Sequence, residues 1–85
     1  MINAGTGATG TQIVTTGVTT PGWTYVKNLD PANYVELGPV NGGTFYGAWK
    51  LKAGEECCFR FSNTNPIHIK ANTAACDCLV IVLND

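Results

Sequence analysis

The chain has 85 residues, of which 45% are hydrophobic and only 13% are charged, and its formal net charge at pH 7 is −1. A chain of this length forms at most one domain and buries roughly 60% of the surface that its unfolded form exposes, which excludes a two-domain enzyme. The five basic residues are scattered singly, and the longest apolar run, residues 78–83, is far shorter than the ~20 residues that span a bilayer. We therefore expect neither a nucleic-acid partner nor a membrane partner.

The first ten residues, MINAGTGATG, contain no charged side chain and almost no apolar anchor. They are predicted to form a flexible N-terminal arm, and residues 11–85 are predicted to form the domain. The arm contains G-x-G-x-x-G at Gly5, Gly7 and Gly10. A dinucleotide-binding fingerprint must follow a strand and open a helix, and neither is expected here, so no cofactor is predicted.

Short β-type segments separated by turn residues follow the arm. The predicted strands are residues 11–16, 23–28, 34–37, 44–51, 55–62, 67–71 and 76–83. Gly47 is expected to mark a bulge or a close backbone approach. No segment shows a helical period of useful length. The pattern predicts an all-β fold: a small single-domain antiparallel β-sandwich or barrel of about seven short strands.

One strand pairing can be proposed from apolar matching. A hairpin turn at Thr64-Asn65-Pro66 would keep the apolar faces of the two flanking strands together. The register of this hairpin pairs Phe61 with Ile69, Phe59 with Ala71, Arg60 with Lys70 and Ser62 with His68.

The last predicted strand is apolar on both faces from Cys78 onward. It is either covered on both sides within the chain, or one of its faces meets another copy of the protein. A third layer is difficult to supply from 85 residues, which favours the second interpretation. The predicted oligomer interface consists of Leu79, Ile81 and Leu83, with Trp23 and Tyr25 adding aromatic bulk. Three copies are the first expectation and two are the second.

The four cysteines, Cys57, Cys58, Cys76 and Cys78, are spaced C-C and C-x-C. Neither spacing is the C-x₂-C of structural zinc sites, and adjacent residues of a strand point to opposite faces, so no metal site is predicted. Free, mostly buried cysteines that act as small hydrophobic residues are favoured. One or two disulfides between the 57/58 strand and the 76/78 strand are the alternative.

No set of residues makes a convincing catalytic site. Ser62 could face His68, and a Cys57 or Cys58 thiol could pair with His68, but no orienting carboxylate or oxyanion hole accompanies either pair. Glu55 and Glu56 are adjacent on a strand, so their side chains diverge. We therefore do not expect an enzyme.

The sequence from Pro21 to its end resembles small virion structural proteins of tailed bacteriophages. The matching blocks are Asn28-Leu29-Asp30, Asn33-Tyr34-Val35, Leu51-Lys52-Ala53-Gly54-Glu55, Phe59-Arg60-Phe61 and Lys70-Ala71-Asn72-Thr73-Ala74. They occur in the order and spacing typical of those proteins and cover about three quarters of the chain.

The resemblance implies a β-sandwich-like domain on the capsid or at the head–tail apparatus. We expect a cement or decoration protein, made in the bacterial cytoplasm, that binds the major capsid protein on the outer shell. The arm, with Met1, Ile2, Asn3, Thr6 and Thr9, is the expected capsid contact, because an extended segment can add to a sheet edge. A head-fibre base, a neck or tail adaptor, and a small glycan-binding module are the alternatives.

Overall fold

The computed structural model describes residues 1–15, 17–61 and 67–84 of the chain. These residues contain strands and no helix, and the strands form two antiparallel sheets. The predicted all-β antiparallel sandwich is therefore confirmed. The strands are β1 (Ile2–Ala4), β2 (Thr11–Gln12), β3 (Pro21–Asn28), β4 (Val35–Asn41), β5 (Thr44–Phe45), β6 (Trp49–Leu51), β7 (Glu56–Arg60), β8 (Ile67–Ala71) and β9 (Cys76–Asn84).

The two sheets have different strand orders. Sheet A has the order β1-β9-β3-β7, so the longest strand, β9, lies beside the long strand β3. Sheet B has the order β2-β8-β4-β5, and β6 also pairs with β4. Because β1 and β2 are consecutive but lie in different sheets, the chain crosses from one sheet to the other near its N-terminus.

The core lies between the sheets and follows the two-residue period of the strands. In sheet A, the buried side chains of β3 include Val26, and those of β9 are Cys76 and Cys78. In sheet B, Leu37 and Ile69 are completely buried. Burying an aliphatic side chain of this size contributes roughly 1.5–3 kcal/mol, so these few positions supply much of the stability of a small domain.

Aromatic rings close one side of the sandwich. Trp49 of β6 stacks on Phe59 of β7, with ring centroids 6.1 Å apart and planes inclined by 8°. Phe59 also contacts Phe61, at a centroid distance of 5.5 Å. Since β6 belongs to sheet B and β7 belongs to sheet A, the stack joins the two sheets where no backbone hydrogen bonds do.

The predicted strand over residues 44–51 is divided into β5 and β6 by a bulge. Gly42 and Gly43, both with positive φ, form the two-residue turn between β4 and β5. The chain then passes close over Gly38, where a Cβ atom would lie 1.8 Å from the carbonyl oxygen of Tyr46. At Gly47 a Cβ atom would lie 2.7 Å from a carboxylate oxygen of Glu36, which confirms the close approach expected there.

The N-terminal residues differ from the predicted flexible arm. Ile2–Ala4 form β1, whose residues pair with β9 in the register Ile2 to Cys78 and Ala4 to Cys76. Ala4 is completely buried. Local sequence does not predict this strand, because the strand depends on pairing with residues more than 70 positions away.

The predicted hairpin between the strands at 55–62 and 67–71 is wrong. β7 pairs with β3 in sheet A, whereas β8 pairs with β2 and β4 in sheet B, so the two strands are not neighbours. Phe59 faces Thr24 and not Ala71, and Arg60 faces Trp23 and not Lys70. The turn predicted at Thr64-Asn65-Pro66 and the predicted partner Ser62 lie outside the described residues.

Candidate interaction surface

The outward face of sheet A carries a cluster of apolar side chains. The register places Tyr25 of β3 between Cys58 of β7 and Ile81 of β9. Trp23 and Leu83 lie at the same end of the face, and they are 52% and 57% exposed. We call this cluster the outer patch and define it as Trp23, Tyr25, Cys58, Ile81 and Leu83.

The outer patch encloses a shallow groove of about 190 Å³. Its remaining lining residue, Thr24, is buried, and its hydroxyl donates a hydrogen bond to the carbonyl of Gly22 at 3.3 Å. The groove therefore offers mainly hydrocarbon and ring surface. This composition suits an apolar protein surface better than a polar small molecule, which would need several converging hydrogen-bonding groups.

Charged residues at the edge of the outer patch hold its aromatic rings. The Tyr25 hydroxyl donates to the Glu56 carboxylate at 2.6 Å, and this hydrogen bond raises the pKa of Tyr25. The guanidinium of Arg60 lies over the Trp23 ring, 5.0 Å from its centroid. Both rings are thus oriented before any partner binds, which lowers the entropy cost of forming an interface.

The outward face of sheet B is polar by comparison. Glu36 of β4 lies between Lys70 of β8 and Lys50 of β6 in the strand register. The Lys50 ammonium lies 4.3 Å from the centroid of the Tyr34 ring, and His68 lies on the same face as Lys70. Alternation of apolar inward residues and charged outward residues is typical of a sheet that faces water. Only sheet A departs from this pattern among the described residues.

Comparisons of the chain with protein-family models, with curated proteins and with solved structures find no match.

The structure brings the predicted interface residues together. Leu79, Ile81 and Leu83 lie on the outward side of β9, and Trp23 and Tyr25 lie beside them on β3. Leu79 is half-buried, whereas Ile81 is 48% exposed. The described part of the chain supplies no third layer over this face, so coverage within the described chain does not explain the apolar outward side of β9.

The predicted arm residues have separate positions. Ile2 and Asn3 belong to β1, and the Asn3 side-chain amide donates to the Asp77 carboxylate at 2.9 Å. The carbonyl of Thr9 accepts a hydrogen bond from Nδ1 of His68 at 2.9 Å. Met1 and Thr6 remain exposed. Several of these groups are therefore already used within the chain.

All four cysteines are free thiols, and the alternative of a disulfide between their two strands is not formed. β3 lies between β7 and β9, so the strands of Cys57 and Cys76 are two strand spacings apart, or about 10 Å, which is beyond the reach of a disulfide. Cys76 and Cys78 are completely buried, and burial raises the pKa of Cys78 to about 11. This agrees with their predicted role as small hydrophobic residues.

The structure locates one of the candidate catalytic pairs, Cys58 with His68. Cys58 lies on the outward face of sheet A, whereas His68 lies on the outward face of sheet B, so the sandwich separates them. The other weighed partner of His68, Ser62, lies outside the described residues. Within residues 1–15, 17–61 and 67–84, no three His, Cys, Asp or Glu side chains are grouped so that they could hold a metal ion. No helix of that part is long and apolar enough to cross a membrane.

Several blocks that carry the phage resemblance meet around Asn28, away from the outer patch. The buried Asn28 amide donates to the carbonyls of Asn33, at 2.9 Å, and Leu51, at 3.1 Å. Its side-chain oxygen accepts from the backbone N–H of Asp30 at 3.0 Å. The backbone carbonyl of Asn28 also accepts from Gly54. These residues connect two loops at one end of the sandwich, and their role in this chain is architectural.

Two contributors were missed by the sequence reasoning. Cys58 belongs to the outer patch because β7 pairs with β3, a long-range pairing that no local pattern indicates. Asn28 was noted only as part of a motif, although a buried asparagine between two turn segments is the local signal of such a connection.

Proposed function

We propose that the chain is a non-catalytic structural protein of the virion of a tailed bacteriophage, of the cement or decoration class. It is made in the host cytoplasm and binds the outer surface of the capsid shell, where its partner is the major capsid protein. The sequence resemblance over about three quarters of the chain supports this class. The outer patch supports a function exerted through surface contact.

The contrast between the two outward faces carries the proposal. Sheet B presents Glu36, Lys50 and Lys70 to solvent, whereas sheet A presents the outer patch. Interface cores are enriched in aromatic residues and depleted of charge, as this patch is. A protein that reinforces a shell requires such a surface and a compact fold, and it requires no reaction centre.

The shell contact is assigned mainly to the outer patch and not to an extended arm. Ile2 and Asn3 are occupied in β1 and its hydrogen bonds, and the carbonyl of Thr9 is bonded to His68. Releasing Ile2 and Asn3 to contact a shell would break the pairing of β1 with β9. Met1 and Thr6, which are exposed, can add contacts at the margin.

The proposal is tested on phage particles from which the reading frame has been deleted. Purified protein is added back, bound protein is measured by co-sedimentation, and capsid rupture is followed during heating. We expect binding in many copies per particle and a higher rupture temperature. Unchanged rupture temperature with full add-back would contradict the cement function.

Two single variants assign the binding surface. Trp23→Ala removes a central ring of the outer patch, and truncation of such an anchor typically weakens binding by 2 kcal/mol or more, about 30-fold. Tyr46→Ala is the control, because Tyr46 is 55% exposed but lies in the β5–β6 connection of sheet B. Equal loss of binding in both variants would remove the outer patch from the proposal.

Two other roles make different predictions. A head-fibre base or a neck or tail adaptor would be present in few copies per particle, which quantitative densitometry of virions measures directly. A glycan-binding module is favoured only by aromatic rings of the kind that stack on sugars, of which Trp23 and Trp49 are exposed and Tyr25 is half-buried. It predicts a change in tryptophan fluorescence with some member of a glycan panel, with the Trp23→Ala variant silent.

A further inference from the structure

The strand β9 is paired along only part of its outer edge. β1 covers residues Cys76, Asp77 and Cys78 of β9, and it ends there. On its other side β9 pairs with β3 along nearly its whole length. Among the described residues, β3 is therefore the only strand that pairs with residues 79–84, and their opposite edge is open.

The alternation of an antiparallel ladder identifies the backbone groups on this open edge. Leu29 N–H donates to the carbonyl of Asp77, which shows that Asp77 directs its backbone groups toward β3. Residues 79, 81 and 83 then do the same, because successive residues of a strand point their backbone groups to opposite sides. Val80 and Val82 consequently direct their N–H and C=O groups away from β3, toward the open edge.

The open edge has none of the features that normally prevent strand addition. Its sequence, LVIVLN, contains no charge, no proline and no glycine. Natural sheet edges are usually protected by lysine, proline or a bulge, and an unprotected apolar edge pairs with another strand. The edge is also uninterrupted, since the irregularity in the β3–β9 pairing falls between Pro21 and Thr24 on β3.

A second groove lies beside the same edge. It has a volume of about 300 Å³. It lies beyond the Ile2 end of β1, where the inward side chains of β9 are only half-buried. The inward side chains of a strand added at the edge would enter this groove. Its lining residues are Met1, Ile2, Val14, Val18, Val80 and Val82.

We propose that this edge pairs with the same edge of a second copy, so that the protein is a two-fold dimer with a continuous sheet. An antiparallel strand pairs with itself about a two-fold axis, so one surface satisfies both copies. The chemistry also matches, because an uncharged strand edge meets an uncharged strand edge. A dimer is the second of the two oligomeric states expected from the sequence, and this proposal does not depend on the proposed function.

The register follows from the faces and from β1. Residues of the outward face must lie opposite outward residues of the second copy. The two-fold axis therefore passes between one residue and the same residue of the second copy, and not between two successive positions of the strand. An axis at Val82 places Val80 opposite Asn84 of the second copy and Ile81 opposite its Leu83. An axis at Ile81 would place Asn84 opposite Cys78, whose edge Ile2 already occupies. An axis at Leu83 would pair Val82 with Asn84 and leave the backbone groups of Val80 unpaired, so the axis is assigned to Val82.

Native mass and amide hydrogen exchange test the dimer together. We expect a mass of about 18 kDa, twice the 9.0 kDa of the chain. The amide of Ile81, which lies opposite Tyr25, should be protected at all concentrations because it bonds to β3. The amides of Val80 and Val82 should gain protection only as the dimer forms. A monomer, a trimer, or a dimer in which Val80 and Val82 exchange freely would overturn the proposal.

A proline variant tests the edge without touching the β3 ladder. Val82→Pro removes an N–H that points to the open edge, and it does so in both copies. Each lost backbone hydrogen bond should raise the dissociation constant of the dimer about fivefold. The loss of two should therefore weaken the dimer about 30-fold. Val82→Thr keeps the N–H and is the matched control. Equal dimerisation of the proline and threonine variants would contradict the pairing.

A charge exchange tests the edge pairing without relying on the proline variant. Ile81 and Leu83 are both about half exposed, so charges there are compatible with a folded monomer. The double variant Ile81→Lys/Leu83→Lys should be monomeric, as should Ile81→Glu/Leu83→Glu, because like charges oppose each other across the axis. A mixture of the two should form mixed dimers in native mass spectra. Absence of mixed dimers would contradict the pairing of the two edges. Failure of capsid binding would leave all three dimer tests unaffected.

Discussion

Replacing Asn28 with alanine should destabilise the protein more than any other single change to a polar side chain of the described residues. Its side chain is completely buried and makes hydrogen bonds to Asp30, Asn33 and Leu51. No buried side-chain nitrogen or oxygen of the described residues lacks a partner, and Asn28→Ala would remove the side-chain partner of three backbone groups.

The magnitude follows from the groups left behind. In Asn28→Ala the carbonyls of Asn33 and Leu51 and the N–H of Asp30 lose their partner. Each unsatisfied buried group costs about 1–3 kcal/mol, and partial opening of the loops to water reduces the sum. We expect a loss of about 3 kcal/mol, which in a domain of this size lowers Tm by about 12–24 °C.

The measurement is urea unfolding of both variants, followed by tryptophan fluorescence, with thermal unfolding alongside. Asn41→Ala is the control, because Asn41 is exposed at the end of β4, and it should change stability by less than about 0.5 kcal/mol. A loss below about 1 kcal/mol in Asn28→Ala would refute the reasoning. It would mean that water or a rearranged loop replaces the asparagine at little cost.

Three further outcomes can be measured directly. Gly38→Ala should prevent the bulge from closing over β4 and lower Tm strongly, whereas Gly7→Ala, with nothing within 4 Å of its new methyl group, should be neutral by the same thermal assay. A thiol reagent at pH 8 should label exposed Cys58 first and buried Cys78 last, because burial raises the pKa of Cys78 to about 11. Mass spectrometry of peptides reports the order of labelling. Simultaneous labelling of the two cysteines would contradict this expectation. Backbone N–H donors lower the pKa of Asp30 below its usual value of 3.8. The stability that the ionised Asp30 carboxylate contributes is therefore present above pH 3.8 and is lost as the pH falls through the lowered pKa. In acid unfolding curves, Asp30→Asn should lack this component, and identical curves would argue against it.

The fold class and the faces of the strands could be predicted because they depend on local alternation. β8 was predicted over residues 67–71, as the structure has it, and the two faces of β9 were assigned correctly. Strand partners could not be predicted in the same way. Phe59 and Phe61 match the apolar face of β8 as well as any other apolar face, and local matching does not reveal that β7 joins β3.

The outer patch was predictable in part for the same reason. A strand that is apolar on both faces must have its second face covered, and this led to Leu79, Ile81 and Leu83 from the sequence alone. The position of Cys58 required the β3–β7 register. The open edge of β9 required knowledge that β1 ends opposite Cys78, and the three residues of β1 carry no local strand signal.

The dimer and the outer patch together produce one geometry. A two-fold axis at Val82 lies perpendicular to sheet A, so the outward faces of both copies point in the same direction. Ile81 and Leu83 of each copy then lie beside the axis, and the two patches form one continuous apolar surface. Under the proposed function, the dimer would contact the shell at two points, and the second contact would be strengthened by its effective concentration.

This geometry separates the two interfaces by their consequences for shell binding. Val82→Pro leaves each outer patch intact but divides the dimer, so single copies should still bind with the lower affinity of one contact. Trp23→Ala leaves the dimer intact but weakens the shell contact of each copy. Because both copies contact the shell, the fold-losses in affinity of the two contacts multiply. At protein concentrations where native dimers bind, we expect the Trp23 variant to remain dimeric and unbound. The Val82 variant should recover binding when its concentration is raised, and a variant that stays unbound at every concentration would show that the edge itself contacts the shell.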